Sequence, residues 1–267
     1  MKRIFLTGVS SGIGQAIARA LLEQGHEVWG TSRDLARVPA LPRLHPVQLD
    51  LADRNSIEAA YKSALAEAGA FDVVINNAGS GHFGPAESLA GETIEFFFQT
   101  LVFAHLQICQ LALSSMRAQQ NGMIINVTSL AAELPVPFMA VYSAAKAAIA
   151  SFTMTMQLEL GDSAIRLVDV QPGDISTEFN ESVLKVGVDE PRYKARAERS
   201  WCVVDRNLKN APKPELVGRR IVELINARNP PPRMLVGDVF QSKIAPMIFR
   251  LLPQRTRLWG LKRYYRI

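Results

Sequence analysis

Tyr142 and Lys146 stand four residues apart in a run, Phe138–Leu160, that reads as a helix, so both side chains leave the same face one turn apart. Ser129 lies thirteen residues before the tyrosine, at the end of the apolar run Met123–Val127, which reads as a buried strand. A strand end meeting a helix face over a sheet can gather a hydroxyl, a phenol and an ammonium around one carbonyl. A free phenol, with a pKa near ~10, exchanges protons poorly at neutral pH. An ammonium about 4 Å away, at an effective dielectric of about 20, favours the phenolate by about 4 kcal/mol, roughly three pKa units. On that reading Lys146 brings Tyr142 into working range as a general acid or base, and Ser129 holds the substrate oxygen by a hydrogen bond. A tyrosine and lysine at this spacing also occur by chance on surface helices, so the assignment depends on the elements around it.

The first of those elements opens the chain. Arg3–Thr7 is a short apolar strand, followed at once by T-G-V-S-S-G-I-G. Gly8, Gly12 and Gly14 allow a tight turn, close backbone approach to a pyrophosphate, and packing of the next helix on the strand. That helix, Ile13–Glu23, would turn its N-terminus, with Ser10 and Ser11 before it, toward the phosphates. A second strand follows over His26–Thr31. Strand, glycines, helix and strand within about thirty residues is the context that gives a glycine triplet meaning.

The end of the second strand chooses between the two nicotinamide dinucleotides. An acid there binds the ribose 2′-hydroxyl of NAD, and a basic group accepts the 2′-phosphate of NADP. Ser32 stands where the acid is expected, and Arg33 can make charge-assisted bonds to phosphate. NADP is therefore expected over NAD; the competing reading leaves Arg33 as a solvated loop charge and lets Asp34 reach the ribose. A third strand, Val47–Leu49, ends at Asp50 and Leu51, where a polar side chain and a backbone group can meet the adenine. Asp53 caps a helix over Ser56–Glu67 that Gly69 closes. A fourth strand, Asp72–Ile75, runs into N-N-A-G, with Asn77, Ala78 and Gly79 suited to a turn that bonds the neighbouring strand and lets a ribose approach. His82 reads as an ordinary polar loop residue.

These motifs resemble the classical short-chain dehydrogenase/reductase family: T-G-x-x-x-G-x-G, N-N-A-G, Ser129, Tyr142-x-x-x-Lys146 and P-G-x-x-x-T at Pro172–Thr177 fall in its order and spacing, over about residues 1–237. The resemblance implies an α/β fold, a Rossmann-type doubly wound parallel sheet of about seven strands with helices on both faces. It implies hydride transfer between a bound nicotinamide and a carbonyl or alcohol. It assigns Tyr142 as acid/base, Lys146 as the group that lowers its pKa and holds the nicotinamide ribose, and Ser129 as the orienting hydroxyl. It also places Pro172, Gly173, Ile175 and Thr177 against the cofactor, with Thr177 at the carboxamide or diphosphate region.

One position departs from the pattern. The family usually carries an asparagine on the helix after N-N-A-G, holding a water that links the lysine to solvent; here that position is Leu101. Another water path, a slow or restricted enzyme, and a non-catalytic NADP(H)-sensing or interaction protein are the three readings that follow. A sugar-nucleotide epimerase shares the Tyr/Lys pair, but the glycine spacing and the chain length are against it. The helices Thr93–Arg117 and Phe138–Leu160 are apolar on wide faces, and in the family such helices pack between subunits, which suggests a homodimer or homotetramer; covering the sheet is the alternative.

The chain has 267 residues, 48% of them hydrophobic, enough to bury one large core. Cys109 and Cys202 lack metal-ligand or redox spacing, so no metal and a reducing cytoplasm are expected. The first residues read as a strand rather than a secretory segment, and no run approaches the ~18 apolar residues of a membrane span. Of the net charge of +5, seven Lys/Arg and no acid fall in 239–267, which leaves the first 238 residues at −2. That argues against a nucleic-acid surface on the body. The reading divides the chain into a dinucleotide-binding unit, 1–238, and a basic amphipathic extension, 239–267. The extension has helical apolar spacing up to Pro253 and is expected to pack over the substrate cleft or a partner subunit, with contact to an anionic membrane surface as the alternative. Residues 174–212 lose regular periodicity and read as a binding insertion. Phe179, Val183, Leu184, Tyr193 and Trp201, with Leu134 and Phe138, would line a cleft for a small apolar carbonyl or alcohol.

Overall fold

Ile4, Phe5, Leu6 and Thr7 are all fully buried, which a strand achieves only when both faces of its sheet are covered. The computed structural model describes residues 1–178 and 183–267, so Phe179 lies outside the described residues. In chain order the strands are β1 (Arg3–Thr7), β2 (Glu27–Ser32), β3 (Leu44–Gln48), β4 (Val73–Asn76), β5 (His82–Phe83), β6 (Gly122–Val127), β7 (Ile165–Pro172), β8 (Leu184–Lys185) and β9 (Arg233–Val236). The helices are α1 (Gly12–Glu23), α2 (Arg54–Ala68), α3 (Gly91–Phe98), α4 (Ala104–Gln119), α5 (Ala140–Leu160), α6 (Lys194–Lys209), α7 (Glu215–Asn226), α8 (Ala245–Leu251) and α9 (Gln254–Tyr265).

Seven strands form one parallel sheet in the order β3-β2-β1-β4-β6-β7-β9, the expected doubly wound Rossmann-type architecture. Successive residues of β1 feed opposite layers, as a period of two requires. Ile4 and Leu6 meet Ile17 and Leu21 of α1 and Val217 and Ile221 of α7. Phe5 meets Ile57 and Tyr61 of α2 and lies in one cluster with Ala112 of α4. Burying each large side chain of these layers stabilises the fold by about 1.5–3 kcal/mol. Winding reverses between β1 and β4, and the crevice beyond their C-terminal ends is where such sheets bind ligands.

The structure corrects the sequence reading in four places. β3 starts at Leu44 and includes Pro46, which an edge strand tolerates because one side of its backbone has no neighbour to bond. The helix expected over Thr93–Arg117 runs from Gly91 to Gln119 but widens at Gln99–Phe103, where the Ala104 N–H donates to Gln99 O five residues back. By length and composition this run is apolar enough to cross a membrane, contrary to the expectation that no run is, yet half of its most apolar window is buried in the body. His82 is fully buried beside Phe97 rather than a polar loop residue. The irregular stretch 174–212 contains α6, whose buried face is only Ala197, Ser200, Val203 and Val204. Small and β-branched residues among many charges make a faint helical signal.

Candidate active site

A cavity of about 1250 Å³ runs along the crevice, and every residue assigned above to catalysis or cofactor binding lies in its wall. At one end Gly8 and Gly12 take left-handed φ values of 78° and 54°, and a Cβ on Gly14 would sit 1.8 Å from Gly8 O, so the turn closes only without side chains. Ser10, Ser11 and Ile13 line the cavity there. Ser11 at the N-cap of α1 makes no side-chain cap bond, which leaves the first backbone N–H groups of the helix facing the cavity.

The Thr7 hydroxyl ties this turn to the next one. Its Oγ1 accepts from the N–H groups of Asn77 (2.9 Å) and Ala78 (3.0 Å), while Asn77 Nδ2 donates to Thr7 O at 3.0 Å. The first asparagine of the motif faces the interior instead. Asn76 Nδ2 donates to Asn126 Oδ1 (2.9 Å), Asn126 Nδ2 donates to Thr153 Oγ1 (2.8 Å), and that hydroxyl donates to Ile149 O. This buried ladder fastens α5 to β4 and β6. Asn126 and Thr153 carry no motif signal, and sequence reasoning missed them.

Ser129 caps the short turn Leu130–Ala132, its Oγ accepting from Ala131 N–H at 3.1 Å. It is also within hydrogen-bond reach of the Tyr142 phenol. Lys146 is buried, donates to Val127 O at 3.0 Å, and stands 5.8 Å from the centre of the Tyr142 ring. The three groups therefore meet at one wall of the cavity.

Their ionisation differs from the expectation that the lysine lowers the pKa of the phenol. Burial raises Tyr142 above its ordinary range, opposed by the hydrogen bond from Ser129. Burial also pulls Lys146 down to about 8, with the Asp169 carboxylate acting the other way. The ammonium is directed at a backbone carbonyl. At the phenol, desolvation outweighs the Ser129 hydrogen bond.

Leu101 fills the space beside the lysine. A Cβ on Gly79 would come 2.9 Å from Leu101 Cδ2 and 3.8 Å from Lys146 Nζ. One turn on, His105 is buried with its Nε2 hydrogen-bonded to Ala78 O at 3.0 Å. Burial, aided by the Lys146 charge, takes it down to about 3, so it is a neutral imidazole bracing the N-N-A-G turn. An isolated histidine on an apolar helix gave no signal of that contact.

At the far end Ser32 is buried and donates to Asp34 O, and the Asp34 carboxylate accepts from Ala36 N–H at 3.0 Å. Arg33 and Arg37 both line the cavity, the second unnoticed in the sequence. Asp50, whose Oδ1 accepts from Ala52 N–H, and Leu51 complete this end.

Pro172, Gly173, Ile175 and Thr177 form the opposite wall, with Thr177 3.6 Å from a Cβ placed on Gly12. Leu134, Val183, Leu184 and Trp201 line the cavity as expected, whereas Phe138 and Tyr193 do not; they pack edge to face on each other, centroids 6.3 Å apart. The C-terminal extension roofs the cleft with Phe249, Leu252, Leu261 and Tyr265. Gln241 anchors it by accepting from Asp174 N–H at 2.8 Å, and Arg250 by donating to both Glu133 oxygens.

The sequence pattern of the short chain dehydrogenase family matches residues 2–186. The chain belongs to the short-chain dehydrogenase family. It is 31% identical over 266 residues to a Bacteroides thetaiotaomicron protein named 3-ketodihydrosphingosine reductase, covering 99% of this chain and 98% of that one. A solved short-chain dehydrogenase from Streptomyces avermitilis superposes with a TM-score of 0.82 at 25% identity, covering 99% and 97% of the two chains. A serine dehydrogenase in its closed form, complexed with NADP+, gives a TM-score of 0.75 at 27% identity over 91% and 97%. This short-chain dehydrogenase is thus an oxidoreductase built to hold a nicotinamide dinucleotide. The cavity fits one: an uncapped helix start behind a side-chain-free turn suits the pyrophosphate, and Lys146 and Gly79 leave room for a ribose beside Tyr142.

Proposed function

We propose that this short-chain dehydrogenase is an NADPH-dependent reductase of a ketone carried on a long apolar chain. The observation that carries the reading is the Tyr142 phenol, with Ser129 beside it, at the wall of a cavity that continues between Val183, Trp201, Phe249 and Leu261. When bound, the nicotinamide supplies the hydride. Ser129 holds the carbonyl oxygen, and Tyr142 Oη donates the proton that oxygen needs as it becomes an alcohol. Lys146, anchored on Val127 O, would hold the nicotinamide ribose when the cofactor is bound.

NADP over NAD is supported by Ser32 in place of an acid, by Arg33 and Arg37 in the cavity wall, and by an Asp34 carboxylate already engaged with Ala36 N–H. The substrate class is supported by the apolar cavity and by the name of the Bacteroides relative. A homodimer or homotetramer through the α3–α4 and α5 faces is supported by Phe96, Phe103, Met154 and Leu158, all exposed there. NADPH oxidation is measured against 3-ketosphinganine, other long-chain ketones and short aliphatic ketones. Turnover is expected to favour the long chains; a preference for short polar ketones overturns the substrate class. Leu101 beside Lys146 favours a second reading, an NADP(H)-sensing protein, for which NADPH binds tightly and no ketone is reduced.

A further inference from the structure

We propose that the outer face of the C-terminal extension docks this protein on an anionic lipid bilayer. The extension presents two faces. Its inner face, with Phe249, Leu252, Leu261 and Tyr265, lines the cavity. Its outer face carries Ile244, Met247 and Leu251 at helical spacing, followed on α9 by Leu258 and Trp259. Met247 is 61% exposed, Leu251 79% and Trp259 66%, and none of the three lines the cavity. A stripe of this size on a small extension is larger than scattered surface hydrophobics require.

The surrounding charge selects the occupant. Residues 239–267 hold seven Lys/Arg and no acid, while the remaining 238 residues sum to −2. Lys243, Arg255, Lys262, Arg263 and Arg266 are exposed and form no ion pair among the described residues. Arg255 and Lys262 stand at i and i+7 on α9 with Leu258 and Trp259 between them, so the apolar and basic groups share one face. Apolar residues that insert and cations that meet headgroups are the pattern of an interfacial helix. A second copy of the chain fits worse, because a symmetric contact through this face sets five unpaired cations against five. Because the inner face of the same helices lines the cavity, docking would place the cavity roof against the lipid, where long-chain molecules reside.

The test uses the full chain in flotation with phosphatidylglycerol/phosphatidylcholine vesicles and with pure phosphatidylcholine vesicles. The protein is expected to float with the anionic vesicles, to be released by high salt, and to bind pure phosphatidylcholine at least about tenfold more weakly. Met247→Asp with Leu251→Asp should lower binding to the anionic vesicles by about tenfold or more, and Arg255→Glu with Lys262→Glu by a similar factor. Circular dichroism and NADPH binding equal to the parent confirm that both variants are folded. Protein that stays in the soluble fraction with anionic vesicles overturns the proposal, as does binding that neither pair alters. Loss of self-association in the Asp variant, with no vesicle binding by the parent, also overturns it by assigning the face to a second copy. The readout is independent of substrate, so it stands or falls apart from the ketone assignment.

Discussion

At the floor of the cavity Lys146, Asn126 and Thr153 are buried and tie α5 to β4 and β6, whereas on the roof Met247, Leu251 and Trp259 stand more than half exposed. Floor groups find their partners within the sheet and its helices, so their positions are set before any ligand arrives. The roof is held from its rim: Gln241 on Asp174, Arg250 on Glu133, Asn207 on Tyr264, Arg199 on Arg266 O, and Tyr265 packed on Val203 and Val204. Chemistry that needs a proton donor in a fixed place belongs on the first kind of surface. A roof over long apolar molecules can be built on the second, because apolar contact is non-directional.

The sharpest way to break this contrast is at the floor. Tyr142→Phe should lower turnover by about a hundredfold to ten-thousandfold while NADPH affinity changes little; steady-state kinetics and a binding titration check both, and retained turnover removes the phenol from the reaction. Lys146 offers the next largest effect. Its unfolded form keeps a proton up to pH 10.5 and its folded form only up to about 8, so between those values the unfolded chain binds more protons. Stability against denaturant should therefore rise with pH across that window, and the slope should flatten in Lys146→Met. An unchanged slope in the variant would mean that the buried amine is not its source. Arg33→Ala should weaken NADPH by about tenfold and NADH hardly at all, and equal losses would remove the phosphate contact. The smallest effect belongs to the roof: Arg250→Gln, which removes its pair with Glu133 and leaves Glu133 to Arg233, should cost about 1 kcal/mol or less in thermal unfolding.

The two regions also differ in how much could be read before folding. The crevice was legible because its parts are local: a strand of buried residues, a glycine turn that tolerates no Cβ, and a tyrosine and lysine one helical turn apart. The helix α6 was not, since its buried face is small residues among charges. Nor was the widened turn at Gln99–Phe103, whose backbone bonds have no side-chain signature. His105 and the Asn126–Thr153 bond support the site only through neighbours distant in sequence.

By itself the sequence determined which chemical groups this dehydrogenase has and along which elements they lie, because periodicity and turn chemistry act over a few residues. Only the tertiary structure decided their state. It aimed Lys146 at Val127 O, and desolvation raised the Tyr142 phenol instead of lowering it. It also laid the extension over the cleft with one apolar face inward and the other toward solvent. Desolvation and the direction of a charge depend on what the rest of the chain packs against each group, and local spacing carries no record of that.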